Sequence, residues 1–322
     1  MKRLWALALC AVLLAGCAAP AAEPPDDGRL QIVTTLFPYY DFARAVAGDR
    51  ADVTLLLSPG REAHSFEPTP LDAVRISRAD VFVYNGGESE AWVDDLLDAA
   101  GANIGTVLCM MDHVDALEEE FVEGMQGAEE EHDHEGHDHE DGDSDEIEYD
   151  EHIWTSPRNA AALCEAICGA LCDADAANAA AYRANCGAYT AELRALDGRF
   201  RALREGAARD LLVFADRMPL LYFCDAYDLR YRAAFHGCSG DTEPSLATLK
   251  YLIDKVSQEH IPVVYTVDLD SRKIAEAVSE STGASIERLY SLQTVSRADF
   301  DANETYITLM ERNLKALEKG LA

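Results

Sequence analysis

Short apolar runs alternate with helical segments twice along the chain, and this rhythm limits the fold more than any other feature. Residues 30–37 (LQIVTTLF), 53–58, 81–85 and 104–109 are strand-like, with helices predicted between them at 39–47, 68–79 and 91–100. A second series of strands follows at 211–215, 230–235, 262–267 and 285–290. Its helices are predicted at 220–227, 245–259, 271–282 and 304–319. Apolar strands separated by helices indicate parallel sheets covered on both faces. Between the two series, residues 173–205 are rich in Ala, Leu and Arg and predict one helix roughly 45 Å long. Gly187 and Gly198 are its weak points. The expected fold class is therefore α/β: two lobes, each with a parallel sheet covered by helices, joined by one long connecting helix.

The first residues read as an address. Lys2 and Arg3 precede an apolar run at 4–15 that is short for a bilayer span, and it ends in Leu14-Ala15-Gly16-Cys17. That tetrad resembles the lipobox of bacterial lipoproteins, which implies a signal peptide over 1–16, a lipidated Cys17 and a tether over 17–29. The organisation expected beyond it is an N-terminal α/β lobe at 30–158, a helical segment at 159–207 and a C-terminal α/β lobe at 208–322.

Charge is concentrated. The net charge is −32, and residues 112–151 hold 20 Asp and Glu with no Lys or Arg. So acidic a chain excludes nucleic acid as a partner and suits cations. Residues 119–148 are expected to form a disordered acidic loop because they offer little apolar surface to offset ordering. His132, His134, His137 and His139 sit within it, spaced for weak auxiliary capture of metal.

Seven cysteines lie beyond Cys17, at 109, 164, 168, 172, 186, 224 and 238. The odd number leaves at least one thiol unpaired within a chain, and export permits disulfides. Cys164, Cys168 and Cys172 line one face of a helix and read as buried packing thiols, with one available to bridge Cys186. With no CxxC pair, a metal cluster is the weaker reading.

Four places carry chemistry at expected strand ends, where open α/β sheets bind ligands. They are residues 59–68 (PGREAHSFEP) with His64, 150–157 (DEHIWTSP) with His152, 214–217 (FADR) with Asp216, and 267–270 (VDLD) with Asp268 and Asp270. The first two motifs, with Glu243-Pro244-Ser245, resemble the zinc/manganese solute-binding proteins of bacterial ABC importers (the ZnuA-type, or cluster A-I, family). In that family the patterns P-G-x-x-x-H-x-[YF]-E-P and D-P-H-x-W-x-[DS]-P each carry a metal-binding His. Here Glu151 replaces the usual Pro.

The resemblance implies a metal site formed by His64, His152, Asp216 and either Asp268 or Asp270. It departs at Arg217, which stands where many members have a third His or a Glu and which cannot ligate a metal. Asp216 is its neighbouring replacement, and His236 a further candidate. Two neutral imidazoles with carboxylates suit Zn²⁺ and can accept Mn²⁺. Glu62 is a candidate partner for a ligand His. His113 is expected at the surface, His260 at a helix end where it suits the dipole, and Trp154 and Phe66 in the core or pocket wall.

The implied function is a lipid-anchored extracytoplasmic receptor that captures Zn²⁺ between its lobes and passes it to an ABC permease driven by a separate ATPase subunit. The alternatives are a manganese receptor of the same family or a metal-storage or adhesin lipoprotein. A zinc hydrolase does not fit, since no His-Glu-x-x-His occurs. No enzymatic activity is expected.

Overall fold

The computed structural model describes residues 28–63, 66–100, 104–126, 148–239, 243–267 and 272–322, without the side chains of 99 and 100. The first sheet contains β1 (Leu30–Thr34), β2 (Ala51–Leu55), β3 (Val81–Tyr84) and β4 (Thr106–Cys109), in the order β2-β1-β3-β4. All its pairings are parallel, for example Ile32 beside Val53 and Val81. The crossovers are α1 (Phe37–Ala47), α2 (Pro70–Ser77) and α3 (Trp92–Ala100). Pro38 occupies the first turn of α1. At α2, Thr69 and Asp72 form a reciprocal capping box, with Pro70 as the first helical residue.

The second sheet repeats the plan with β5 (Leu211–Met218), β6 (Arg230–His236), β7 (Val263–Val267) and β8 (Ser285–Leu289), ordered β6-β5-β7-β8 and again parallel. Its helices are α6 (Leu221–Ala226), α7 (Leu246–Gln258), α8 (Lys273–Thr282), α9 (Arg297–Asp301) and α10 (Tyr306–Leu321), where α4 and α5 are the two helices between the sheets.

Alternation along the strands explains why both faces of each sheet are covered. Ile32, Val81 and Val83 join the main core, while Val33 and Phe82 pack on the opposite face with Leu56 and Ile76. In the second sheet Leu212 and Phe214 face the main core, and Leu211, Val213 and Ala215 face outward onto Val256 and Val278. The main core is continuous through both lobes, linking Ile32 and Trp154 to Phe214, Tyr265 and Leu309.

Two expectations need correction. The helix predicted over 173–205 is interrupted. α4 (Pro157–Ala174) ends within its first two residues, and α5 (Ala179–Gly206) supplies the long element, 28 residues or about 42 Å. Asp175 makes the break: its carboxylate accepts the backbone N–H of Asn178 at 3.3 Å, its Nδ2 at 2.6 Å and the Tyr182 hydroxyl at 2.8 Å. Gly187 and Gly198 stay within α5. That helix contacts α1, α4 and α10, so it spans the back of both lobes.

The expected disordered loop is also too wide. Residues 119–126 are packed: Phe121 lies against His236 (5.1 Å between rings), Met125 is buried, and Gln126 N–H donates to Ala234 O at 3.0 Å. Gly124 has φ +81°, and a Cβ there would collide with the Tyr251 ring, so this close approach requires glycine. Glu118 bridges Tyr149 in antiparallel fashion, while Glu119 N–H donates to Glu148 O and Asp150 N–H to Leu117 O. The acidic segment thus leaves and returns through one paired stem. His132, His134, His137 and His139 lie outside the described residues, as does Cys17. All seven described cysteines are free thiols. Among the described residues no helix is long and apolar enough to cross a membrane.

Candidate metal centre between the lobes

The loop after β2 reaches toward the second lobe. Gly60 N–H donates to Val295 O at 2.7 Å, and Phe66 N–H closes a turn onto Ala63 O at 2.9 Å. Phe66 packs edge-on against Trp92, 5.6 Å between rings, as a pocket wall. His64 lies outside the described residues, but both its flanks are thereby held.

His152 is buried, just before the 3-10 turn Ile153–Thr155. Its carbonyl accepts the Thr155 N–H at 3.1 Å and hydroxyl at 2.8 Å. Asp150, also buried, receives the His152 backbone N–H at 2.8 Å and faces its Nδ1 at 3.3 Å, both through Oδ1. Burial opposes a charge on this imidazole, but the Asp150 carboxylate and the Cys238 thiol outweigh it and raise the His152 pKa well above the ordinary value. A carboxylate on Nδ1 orients the ring and directs Nε2 toward a ligand. Trp154 locks the turn across the lobes: its Nε1–H donates to Ser291 O at 2.7 Å, and its carbonyl accepts the Tyr306 hydroxyl at 2.8 Å.

On the facing lobe, β5 changes register against β6 between Phe214 and Arg217. Asp216 sits in this irregularity, 6% exposed. Its two oxygens accept the N–H of Arg217 at 2.8 Å and of Val267 at 2.9 Å. Asp216 therefore ties the end of β5 to the end of β7, one residue before Asp268. Asp268 and Asp270 are outside the described residues.

Arg217 donates to Ser239 O at 3.2 Å and to Glu62 Oε2 at 3.3 Å. This pair joins the lobes: Glu62 meets Arg217, and Asp150 takes the orienting place on His152. His236 Nδ1 lies 3.0 Å from Glu119 Oε1, which also receives the Cys238 N–H at 3.1 Å. Burial opposes ionisation of Glu119, yet its bonds to His236 and Cys238 bring its carboxyl below the usual range.

Sequence reasoning missed Asp150, Glu119, Cys238 and Gly237 as contributors. Asp150 was visible in the DEHIW motif, and Gly237 in the His-Gly-Cys triplet. A Cβ at Gly237 would lie 2.9 Å from Asp150 Oδ2 and 3.3 Å from His152 Cε1. Glycine is what lets β6 approach the imidazole. His113 is exposed as expected, and His260 sits just past the end of α7 with φ 52°.

Behind His152, Glu151 accepts the Ser89 N–H at 3.0 Å, and Glu90 accepts the N–H groups of Asn85 at 2.6 Å and Gly86 at 3.2 Å. Burial pushes the Glu90 carboxyl up to about 7. Among the described residues no three His, Cys, Asp or Glu side chains converge so as to hold an ion. His152 and Asp216 alone do not make a metal site.

Twin parallel lobes braced by a long helix, with polar groups gathered at facing strand ends, define a two-lobed α/β protein with its candidate site between the lobes. The chain belongs to the ZnuA family, described as zinc-uptake complex component A, periplasmic, whose model matches residues 32–320. It is 34% identical to the zinc-binding lipoprotein AdcA of Streptococcus pneumoniae over 97% of its own length, and spans 59% of that relative. It is 31% identical to the high-affinity zinc uptake system protein ZnuA of Bacillus subtilis, over 99% of this chain and 97% of that one. The Zn(II)-bound ZnuA-like domain of S. pneumoniae AdcA superposes with TM-score 0.74 at 30% identity, covering 91% of this chain and 99% of that domain.

Proposed function

We propose that this protein is an extracytoplasmic zinc receptor of an ABC importer, tethered through a lipidated Cys17 and delivering Zn²⁺ to a permease with its own ATPase. His64 and His152 supply imidazoles from the first lobe. Asp216 and Asp268 or Asp270 supply oxygen from the second, and the histidines at 132, 134, 137 and 139 serve as weak prior capture. Family membership and zinc-binding relatives support the cargo.

The observation that carries the reading is the buried Asp150–His152 pair at the interlobe face. A carboxylate fixing one imidazole nitrogen is the arrangement by which proteins orient a metal-binding His. Ligands drawn from both lobes would fill the coordination shell and leave no open position for hydrolysis. The absence of a thiolate from this set favours exchange over permanent retention.

The test is zinc titration against a competing chelator. His152→Ala is expected to weaken the tight event at least about 100-fold, with a stoichiometry near one in the parent chain. Tight binding that survives His152→Ala and disappears on deleting residues 127–147 would move the site into the acidic segment. Several equivalent tight ions per chain would favour storage.

A further inference from the structure

Away from the interlobe site, four cysteines meet where α4 packs on α5. Cys164, Cys168 and Cys172 occur every fourth residue along the buried face of α4, and Cys186 faces them from α5. The Cys186 Sγ lies 3.8 Å from Cys164 O, and the Cys172 Sγ lies 3.6 Å from Ala179 O. Beside them, Arg194 of α5 and Glu165 of α4 form an ion pair at 2.6 Å across the two helices. We propose that Cys164 and Cys186 are a disulfide-forming pair that covalently staples α4 to α5 in the exported protein.

The geometry singles out this pair. Cys186 touches the thiols of both Cys164 and Cys168, but its Sγ lies against the Cys164 carbonyl, while Cys172 turns toward the start of α5. Donation from those thiols lowers the Cys186 pKa, which favours it as the attacking thiolate. A soft-metal cluster is not the better reading, since the described thiols do not converge on a common ion position.

The oxidant is a protein or small-molecule disulfide. The Cys186 thiolate attacks one of its sulfurs and releases one thiol. Cys164, losing its proton, then attacks the Cys186 sulfur of the mixed disulfide and releases the second thiol. Two electrons and two protons pass to the oxidant, and one S–S bond forms as one breaks. The supply of oxidant in the cell rests on the extracytoplasmic location proposed above, but the pairing itself does not.

The full chain is equilibrated with glutathione disulfide, its remaining thiols are alkylated under denaturing conditions, and non-reduced peptides are mapped. Cleavage after Glu165 separates Cys164 from Cys168 and Cys172. The expected result is a Cys164–Cys186 linked peptide and a chain about 2 Da lighter. Its melting point should stand about 5 °C above that of the reduced form, a shift that Cys186→Ser abolishes and Cys168→Ser retains. Linkage of Cys186 to Cys168, lasting glutathione on Cys186, or full alkylation of both residues would overturn the proposal. Because the linkage is mapped directly on the parent chain, it can be read even if a variant fails to fold. A pair that forms with glutathione disulfide but is absent from chain recovered outside the cytoplasm supports the pairing and counts against the proposed location instead.

Discussion

The two lobes share a strand order, with the first strand of each second from one edge, yet they use their strand ends differently. The first lobe offers His152 on a buried carboxylate, its turn pinned to the second lobe by Trp154. In the second lobe each oxygen of Asp216 accepts one backbone N–H, and Arg217 stands beside it. One sheet plan thus supports an orienting carboxylate on one side and a strand-tying carboxylate on the other. Repetition of topology does not bring repetition of chemistry, because the loops and register irregularities at strand ends, not the sheets, aim the side chains.

The strongest way to break this contrast is to release the pin. Trp154→Ala removes a fully buried ring and its bond to Ser291, and is expected to cost about 3–5 kcal/mol in urea unfolding. A loss below about 1 kcal/mol would mean that the lobes are not braced through this turn.

Next in size is the pH response of the first lobe's buried acid. Folding raises the Glu90 carboxyl from 4.5 to about 7, so between those values the folded chain keeps a proton that the unfolded chain releases. Stability therefore falls as pH rises through that window, by about 3 kcal/mol from this group. Glu90→Gln is neutral throughout. Its unfolding free energy should be flatter with pH than the parent's, and parallel profiles would refute the assignment.

The smallest effect separates the two carboxylates directly. Asp150→Asn should weaken zinc about 10–100-fold by loosening the imidazole. Asp216→Asn should lower the stability of the metal-free chain by about 1–2 kcal/mol, because an amide nitrogen then faces the N–H of Arg217 or Val267. If Asp150→Asn leaves zinc affinity intact, the orienting role is lost.

Much of this architecture was legible from local pattern. The apolar runs locate the strands, and the helix expected from 68 begins two residues later, at Pro70. The family motif singled out His152 and Trp154. The stem at 117–126 was hidden because its acidic composition masks the few anchors, Phe121, Val122 and Met125, that hold it. The break at Asp175 was hidden too, since the Ala-rich run continues across it and only the Asp175–Asn178 turn stops the helix.

Hydrophobic period, capping residues and charge runs act over a few residues, so the chain order alone determined the elements, the twin-lobe plan and the acidic character. Tertiary packing decided which groups meet. Asp150 faces His152, Arg217 reaches Glu62 across 155 residues, Asp216 reaches Val267 across 51, and Trp154 reaches Ser291 across 137. Those meetings depend on how buried polar groups find partners once the sheets and helices close around them, and no local period encodes that outcome.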